Sequence, residues 1–561
     1  MIQQHQRSEP HTIDDMLVKY LGHIGPYQWQ IFLMALLPIF IAGTLCTAMV
    51  FTTNIPQHRC LIPNCDSNIS KIVIEDSSSQ QYGSSFFNQS FLKFAIPLTM
   101  DHSLITSDSD HRYDDCHSYG ILNQESKSLN ESCSPSLFDS KTIQTCSNYV
   151  FEQRYFESTF VTDFQLYCDN EWIVQLLQVL YFFGNLIGAV SNGVLADKYG
   201  RRFIFRIYSP LTVICILMSS LTPNIWLYGI GMFIKGTCVA AIYQSAFAIT
   251  MECLGGKWRF WLGILSSLSF TVGAIYVCIC AWWLRRWRLI EFSNLLPALI
   301  MLAYPFIMPE SIRWQYSSGQ HVKAMDQMMA AAKKNGSKTP SLNKEILDVF
   351  ITSKSKENEE KKGSIQDLFK HRTIRLWTLA FLFIWFTNAL VYFGLSFLAH
   401  DIHSNIYLSM VLLMIIEFPA VVIAGYVGNI TRKYYLIGIL ILGGFCSMGA
   451  SFAKTGGWIK MSTAIMGKMS ITGSFALIFV YSGEIFPTPL RTTGIGLCSF
   501  AARIAAMTAP YLLRLNMYGD SIPFLVIGLF TLTAGMVTII LPETKGKKLP
   551  DSMADVERLR N

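Results

Sequence analysis

Charged residues are scarce in this chain. Only 15% of its 561 residues are Asp, Glu, Lys or Arg, and 51% are hydrophobic, whereas about 25% charged residues is usual in soluble domains. The net charge of +7 comes from Lys and Arg residues scattered between apolar runs, unlike the clustered basic surface of a nucleic-acid-binding protein. The composition favours a protein of the lipid bilayer and argues against a nucleic-acid partner.

The sequence also lacks the motifs of several enzyme classes. No G-x-x-x-x-G-K-[ST] phosphate-binding loop occurs, so we do not expect a pump driven by ATP. His400 and His403 form an isolated pair without a further cluster of ligand residues, so we expect neither a metal site nor a cofactor. With no catalytic constellation to assign, we expect the chain not to be an enzyme.

Long apolar runs are plentiful instead. A helix that crosses a bilayer needs about 20 apolar residues, and twelve such runs occur. Buried helices of a large soluble protein would need amphipathic partners to cover them, and these are almost absent. We therefore predict an all-α membrane protein with twelve transmembrane helices. The runs are Ile31–Thr53, Ile173–Ala196, 203–222, 225–250, Phe260–Leu284, 289–308, Leu376–His400, 404–427, 434–453, 459–483, 494–515 and Ser521–Leu541.

Two polar segments interrupt the apolar runs. The segment 54–172 holds six of the 14 cysteines and three N-x-S sequons, which predicts an extracellular, glycosylated and disulfide-linked loop whose cysteine pairing stays open. The segment 310–373 is rich in Lys and Glu and should be cytosolic. The loop cysteines are Cys60, Cys65, Cys116, Cys133, Cys146 and Cys168, and the sequons lie at Asn68, Asn88 and Asn130.

These segments divide the chain into parts with an expected topology. The polar first 30 residues and the long first apolar run indicate an uncleaved signal anchor, with both termini in the cytosol. Basic residues mostly fall on the cytosolic side, but Arg285, Arg286 and Arg288 fall outside and are an exception to the positive-inside rule. The predicted parts are a cytosolic N-terminus 1–30, an N-terminal half 31–309, a cytosolic linker 310–373, a C-terminal half 374–542 and a cytosolic tail 543–561.

Short charged motifs recur at a nearly constant distance along the chain. Matched residues follow the second and eighth, the fourth and tenth, and the sixth and twelfth runs, 232 or 233 positions apart. Internal repeats of this kind mark transporters and predict two related six-helix halves. The matched pairs are Asp197 with Asn429, Glu252 with Glu484, Arg259 with Arg491, and Glu310 with Glu543.

The charges of these motifs predict a cytosolic gate. Ion pairs at the cytosolic helix ends would hold the two halves together when the gate is shut, and would break when the halves rock around a central site. The alternative is that these charges only anchor helix ends at the membrane surface. The predicted gating residues are Asp197, Gly200, Arg201, Glu252, Arg259, Arg432, Glu484 and Arg491.

Several longer motifs give the chain a family resemblance from its first to its last apolar run. The chain resembles solute carrier family 22, the transporters of organic cations, carnitine and organic anions, and so implies the major facilitator fold. Sugar porters share the gate motifs but lack the long cysteine-bearing first loop. Asn429 departs from the Asp that the family has there. The motifs are Gln57-His-Arg-Cys60, Phe160-Val-Thr-Asp-Phe-Gln-Leu-Tyr-Cys168, Gly193-Val-Leu-Ala-Asp-Lys-Tyr-Gly-Arg-Arg202, Pro309-Glu-Ser-Ile-Arg-Trp314, Ile416-Glu-Phe-Pro419, Gly467-Lys-Met469, Gly483-Glu-Ile-Phe-Pro-Thr488 and Leu541-Pro-Glu-Thr-Lys-Gly546.

Ionisable residues inside the apolar runs are the candidates for substrate binding, because they are costly in a membrane. Lys235 and Lys468 are 233 positions apart, which suggests a structural role in each half and leaves Glu417 and Arg503. The resemblance implies that Arg503 stands where the anion and carnitine branches have Arg. Its guanidinium suits a substrate carboxylate, and Glu417 would balance an ammonium group or pair with Arg503.

Aromatic residues at helical spacing add a second, weaker indication. Tyr243 and Phe247 lie four apart, and Trp385 and Tyr392 lie seven apart, so they would either hold a quaternary ammonium or simply pack. We expect a plasma-membrane carrier of small organic ions, either carnitine-like zwitterions or organic cations, that works by alternating access. The alternatives are an organic anion exchanger and, from another class, a receptor or channel. The coupling ion stays open.

Overall fold

The computed structural model describes the transmembrane part of the chain and portions of its loops. The sequons Asn68, Asn88 and Asn130, residues 337–364 of the linker and most of the C-terminal tail lie outside the described residues. The described residues are 21–22, 24–62, 65–66, 91–97, 114–121, 133–254, 256–336, 365–403, 405–453, 457–547, 550 and 556–557.

Twelve apolar helical segments, here called spans 1 to 12, cross the described part of the chain. Eleven are long and apolar enough to cross a membrane, and the twelfth has 17 residues, or about 26 Å of helix. Together they confirm the predicted all-α membrane fold. The spans are Pro26–Thr52, Trp172–Tyr199, Arg201–Leu221, Ile225–Cys253, Gly256–Leu284, Trp287–Ile307, Arg372–Phe397, Ile406–Ile430, Lys433–Phe452, Trp458–Ile485, Thr488–Arg514 and Ile522–Thr538.

Two of the spans are broken within the membrane. Span 6 divides into Trp287–Ser293, Leu295–Met301 and Tyr304–Ile307. Span 8 divides into Ile406–Ile415 and Glu417–Ile430. The break in span 8 has a local cause, because the ring of Pro419 clashes with the carbonyl four residues earlier in a regular helix.

Spans 1 to 6 form the N-terminal half and spans 7 to 12 the C-terminal half, and the halves meet where span 2 packs on span 11 and span 5 on span 8. Glycines allow close packing within a half. A Cβ at Gly184 or at Gly236 would collide with the backbone of the facing span. Small residues at such positions are the usual means of close helix approach in membranes.

The described part of the cysteine-bearing loop between spans 1 and 2 contains two small antiparallel sheets. Strand β1, His58–Cys60, pairs with β4, Tyr149–Phe151, and β2, His117–Ile121, pairs with β3, Phe138–Thr145, with a bulge after Tyr119. The three disulfides are Cys60–Cys146, Cys65–Cys133 and Cys116–Cys168, which use all six of the predicted loop cysteines.

The basic cluster that breaks the positive-inside rule binds the segment that returns from this loop to span 2. The guanidinium of Arg285 donates to the carbonyl oxygens of Gln153 and Arg154 at 2.7 and 2.6 Å. Arg286 pairs with Glu157 at 2.6 Å. The loop therefore supplies partners for both arginines, which lie at the same end of the helices as the loop.

Short helices complete the described chain. Two of them, in the linker, lie beneath the N-terminal half, and the amide of Asn335 at their end accepts a hydrogen bond from the backbone N–H of Tyr27 at 2.9 Å. The linker therefore supports the start of span 1. The remaining helices are Leu92–Ala95, Pro135–Leu137, Phe160–Phe164, Cys168–Asn170, Ile312–Ser317, His321–Lys334, Asp367–Lys370, Ala399–Ile402 and Leu515–Tyr518.

Candidate functional site

A charged cluster lies at the end of the N-terminal half that is opposite the cysteine-bearing loop. The Arg201 guanidinium lies 2.9 Å from the Glu252 carboxylate and 3.4 Å from that of Asp197. The Glu310 carboxylate accepts hydrogen bonds from the backbone N–H groups of Arg201 and Arg202, at 2.9 and 3.0 Å. A carboxylate at the start of span 3 satisfies N–H groups that have no partner within the helix. The cluster thus joins spans 2, 3 and 4 to the end of span 6.

Gly200 makes this arrangement possible. It lies between spans 2 and 3 with a φ of +96°, a conformation that residues with a side chain rarely adopt. A Cβ at this position would also collide with the Glu310 carboxylate. Gly200 therefore permits both the turn between spans 2 and 3 and the close approach of Glu310. Its role in gating stays a prediction.

The C-terminal half carries a second copy of the cluster. Arg432 pairs with Glu484 at 3.2 Å, as Arg201 does with Glu252. The hydroxyl of Thr544 donates to the other oxygen of Glu484 at 2.5 Å. The repeated spacing in the sequence therefore corresponds to a repeated set of contacts.

Glu543 occupies the position of Glu310 in this copy. Its carboxylate accepts hydrogen bonds from the backbone N–H groups of Arg432 and Lys433 at 3.2 and 3.1 Å, and from the Thr431 hydroxyl at 2.7 Å. Partial burial alone would raise the pKa of Glu543, but these bonds and one from the Lys545 N–H lower it. A lowered pKa means that the carboxylate is stabilised in its charged form.

The ion pairs that the structure describes for Arg201 and Arg432 lie within the halves and not between them. Arg201 and Arg432 each pair with an acid of their own half. Arg491 donates from Nε to the carbonyl of Phe486 at 3.3 Å, again within its half, and the side chain of Arg259 lies outside the described part. A role of these residues in gating stays a prediction. With these ion pairs, they would contribute to gating by holding the helices of each half together.

Glu417 lies deep in the protein where the two halves meet. It begins the second part of span 8, where the positive end of the helix dipole favours a carboxylate. One oxygen accepts a hydrogen bond from the Thr271 hydroxyl of span 5 at 2.6 Å, and the other lies 3.4 Å from Nζ of Lys468. Glu417 therefore connects the N-terminal half to span 10, and its ion pair is with Lys468 rather than with Arg503.

The ammonium of Lys468 is held by more than this ion pair. Its Nζ lies 3.2 Å from the centroid of the Tyr392 ring and donates to Ser396 Oγ at 2.9 Å. A cation over an aromatic ring gains energy from the negative face of the ring. Glu417 and Tyr392, predicted separately as substrate contacts, are thus brought together by a third residue to which the sequence assigned only a structural role.

A cleft with a mainly apolar lining lies beside this group, between the two halves. Spans 1 and 5 contribute Cys46 and Phe270, and spans 7 and 8 contribute Tyr392, Ser396 and Met414, among other mainly apolar residues. A small apolar cleft with a few polar groups is typical of a small-molecule site. Its position between the halves is where alternating access places a substrate.

Arg503 lies on span 11 and is not among the residues that line the cleft. Nη1 donates to Ser499 Oγ at 2.7 Å, while its buried Nε has no hydrogen-bond partner among the described residues. Tyr243 of span 4 interacts electrostatically both with Arg503 and with Tyr392. Arg503 therefore retains a donor for a ligand, in the same region as two of the predicted aromatic residues.

The other two predicted aromatic residues have packing partners. Trp385 is 1% exposed, with its ring 4.3 Å from that of Phe479 in span 10. Phe247 stacks parallel to Tyr243 at 6.4 Å. Neither lines the cleft, so their contacts indicate support for the site rather than contact with a ligand in this conformation.

Sequence reasoning missed two residues of the buried polar network. Glu291 of span 6 pairs with Lys235 at 2.7 Å, with both side chains almost fully buried. The signal was present, since a buried lysine needs a counter-charge and Glu291 is an acid within an apolar run. Thr271 offered no such signal, because a threonine in a membrane helix usually bonds its own backbone.

Comparisons with known proteins agree with this architecture. A family model described as "Sugar (and other) transporter" matches residues 124–554. The fold is similar to that of the E. coli xylose transporter in its inward-open conformation, with a TM-score of 0.55 at 16% identity over 70% of this chain and 90% of that one. The fold and this match define a multi-pass membrane transporter of the major facilitator class.

Two relatives place the chain more narrowly. Mus musculus solute carrier family 22 member 3 is 31% identical over 452 residues, 79% of this chain and 80% of that protein. An organic cation transporter protein of Drosophila melanogaster is 28% identical over 549 residues, 97% of this chain and 94% of that protein. The chain belongs to solute carrier family 22, which confirms the resemblance seen in its motifs.

Proposed function

We propose that the chain carries small organic ions across the plasma membrane by alternating access, and that its preferred substrates are carnitine-like zwitterions. The observation that supports this most is the presence of both a buried carboxylate, on Glu417, and a buried guanidinium with a donor free among the described residues, on Arg503. Glu417 lies with Tyr392 beside the cleft, and Arg503 keeps an unpartnered buried donor. An ammonium and a carboxylate on one small molecule would complement both.

The ammonium of such a substrate would be recognised by Tyr392 and Glu417. The Tyr392 ring lines the cleft and already holds a cation, the Lys468 ammonium, at 3.2 Å. Aromatic rings bind quaternary ammonium groups by the same attraction. Apolar neighbours such as Phe270 and Met414 suit the methyl groups of such a ligand.

The carboxylate would be recognised by Arg503. A guanidinium is a rigid fork of donors that matches a carboxylate, and in Arg503 the described partners use Nη1 and leave buried Nε without one. An unpaired buried donor costs about 1–3 kcal/mol. A substrate carboxylate would remove this cost, so it would bind more strongly here than at a site whose donors are already paired.

Two other substrate classes have specific support. Lys468 and Arg503 together exceed the one carboxylate of Glu417, and an excess of positive charge favours an organic anion. The names of two family members in Drosophila melanogaster and Caenorhabditis elegans, in turn, refer to organic cations. An organic anion exchanger and an organic cation carrier are therefore the second candidates.

The proposed location follows from the extracellular loop. Disulfides persist in oxidising compartments, and the three disulfides lie at the ends of spans 1 and 2 that face away from the Arg201 and Arg432 clusters. The clusters would then face the cytosol, together with both termini. Passage through the secretory pathway leads to the plasma membrane.

Uptake by cells that express the chain tests the proposal. The panel contains L-carnitine, tetraethylammonium and an aromatic carboxylate, with surface level measured in parallel. For Arg503→Ala we expect carnitine uptake to fall by at least about 30-fold, since truncating one partner of a buried charged pair costs about 2–5 kcal/mol. Arg206→Ala, which removes an exposed arginine of span 3, is the matched control and should leave uptake unchanged.

The panel separates the candidates. Carnitine uptake that survives Arg503→Ala would show that Arg503 binds no carboxylate. Uptake of tetraethylammonium alone would establish an organic cation carrier, and uptake of the aromatic carboxylate alone would establish an organic anion exchanger.

A further inference from the structure

The ammonium of Lys468 is bound as a ligand would be. The Tyr392 ring, the Ser396 hydroxyl and the Glu417 carboxylate surround it at 3.2, 2.9 and 3.4 Å, and the side chain is fully buried. The backbone carbonyl of Tyr392 also accepts a hydrogen bond from it at 3.2 Å. An aromatic face, a carboxylate and two oxygen acceptors are the groups that recognise an organic ammonium.

Lys235, at the matching position of the other half, shows what burial alone requires. Its Nζ lies 2.7 Å from a carboxylate oxygen of Glu291, and the Tyr228 ring is more distant, at 6.0 Å. Ser219 also donates to Glu291, so the pair is satisfied within the N-terminal half. Lys468 has a longer ion pair and a much closer ring, so its surroundings go beyond the neutralisation of a buried charge.

Two of the groups that hold Lys468 are also exposed to the cleft. Tyr392 and Ser396 line it together with Cys46, Phe270 and Met414. A ligand that enters the cleft therefore meets the same ring and the same hydroxyl that the lysine uses. The lysine reaches them on a flexible four-carbon stem, which can withdraw.

We propose that Lys468 is a specificity-determining residue, whose ammonium occupies the place of the substrate ammonium beside Tyr392 and Glu417 until the substrate displaces it. This inference rests on the proposed function, because it names the group that the substrate replaces. The lysine neutralises Glu417 while the site is empty. An unpaired Glu417 carboxylate at this depth would be strongly destabilising.

The displacement discriminates between substrates by charge. Once displaced, the Lys468 ammonium remains buried and needs a new counter-ion. A zwitterion brings a carboxylate that supplies it, whereas a permanent cation without a carboxylate leaves two positive charges near one acid. Lys468 therefore disfavours simple cations, and Arg503 would bind the same carboxylate.

Binding of L-carnitine and of tetraethylammonium to the purified full-length protein tests this role. For Lys468→Gln we expect tetraethylammonium to bind about tenfold more tightly and L-carnitine about tenfold more weakly, because one competing charge and one carboxylate partner are lost together. Lys468→Arg keeps the charge and should keep the preference for L-carnitine. A Lys468→Gln protein that binds both probes more weakly to the same extent would overturn the inference.

A second variant covers the case in which Lys468→Gln does not fold with Glu417 left unpaired. Lys468→Gln/Glu417→Gln removes both charges and should bind the two probes without preference. If it retains the preference of the wild type, Lys468 does not set specificity. The proposed function is tested separately, by uptake in cells that express the wild type. A wild-type chain that moves only aromatic carboxylates would refute the proposed function. Tighter tetraethylammonium binding by Lys468→Gln would still support this role of Lys468.

Discussion

At the end of the molecule that carries the Arg201 and Arg432 clusters, the described ion pairs of these arginines lie within each half, whereas a neutral ring contact joins the halves. Arg201 and Arg432 each pair with an acid of their own half. Between the halves, Trp261 of span 5 contacts Tyr426 of span 8 with ring centroids 5.2 Å apart. The extracellular end shows the same contrast, since Tyr407 of span 8 donates to the Tyr155 carbonyl at 2.6 Å.

This difference fits the mechanical needs of a carrier that works by alternating access. A half that moves as one body needs strong internal contacts, and buried charge pairs are costly to break. The contacts between halves must exchange in every cycle, so rings such as those of Phe182 and Phe393, 4.9 Å apart, and single hydrogen bonds are suitable. The charged clusters therefore stabilise the moving bodies, and the neutral contacts determine which end is closed.

The largest effect we predict from this comparison concerns the N-terminal cluster. Gly200→Ala places a side chain at a φ of +96° and against the Glu310 carboxylate. We expect a loss of about 2–3 kcal/mol in folding stability from backbone strain and collision, seen as a lower melting temperature of the purified protein. Gly193→Ala, seven residues earlier in span 2, is the matched control, because a Cβ there meets no atom within 4 Å.

The comparison with this control also distinguishes a structural role of the cluster within its half from a gating role between the halves. If the cluster were a gate between the halves, Gly200→Ala would alter the transport rate and leave the melting temperature unchanged. A melting temperature close to that of Gly193→Ala would therefore contradict a structural role within the half.

The second prediction measures directly which residues are coupled. In a double-mutant cycle, Arg201→Gln and Glu252→Gln should be coupled by about 1–3 kcal/mol, as groups in contact are. Arg201→Gln and Glu484→Gln, from opposite halves, should be additive. The readout is the shift in melting temperature of each single and double variant. If Arg201 and Glu484 were coupled as strongly as Arg201 and Glu252, these charges would act as a lock between the halves.

The architecture was predictable because its signals repeat along the chain. Twelve apolar runs and matched motifs recur, and the structure turns the match of Glu252 with Glu484 into two equivalent ion pairs. Whether each ion pair forms within one half or between the halves was not predictable. A repeat shows that two residues are equivalent, but it does not show whether each one contacts its own half or the other.

The central site was predictable in its residue types and not in its contacts. Glu417 and Lys468 were both visible as charges inside apolar runs, but the repeat assigned Lys468 to a pair with Lys235 and so separated it from Glu417. Only the packing of span 10 against span 8 brings them to 3.4 Å. In the same way, the number of loop cysteines indicated disulfides, while their pairing depended on the arrangement of β1 to β4.

The smallest effect we predict concerns the extracellular contact between halves. Tyr407→Phe keeps the ring, which stacks on Phe51 at 5.8 Å, and removes the hydrogen bond to the Tyr155 carbonyl. One such bond is worth about 1 kcal/mol, so the population open to the outside should rise about fivefold. The rate at which a membrane-impermeant thiol reagent labels Cys46, which lines the cleft, measures this population.

Two further variants make the result specific. Cys46→Ser in the same background should abolish the added labelling and so identify the site. Tyr518→Phe, which alters a tyrosine that is 77% exposed, should label at the wild-type rate. Unchanged labelling in Tyr407→Phe would mean that the apolar rings alone close the extracellular end. In that case the Tyr155 segment, which Arg285 fixes to the N-terminal half, would be only a neighbour of the gate and not a part of it.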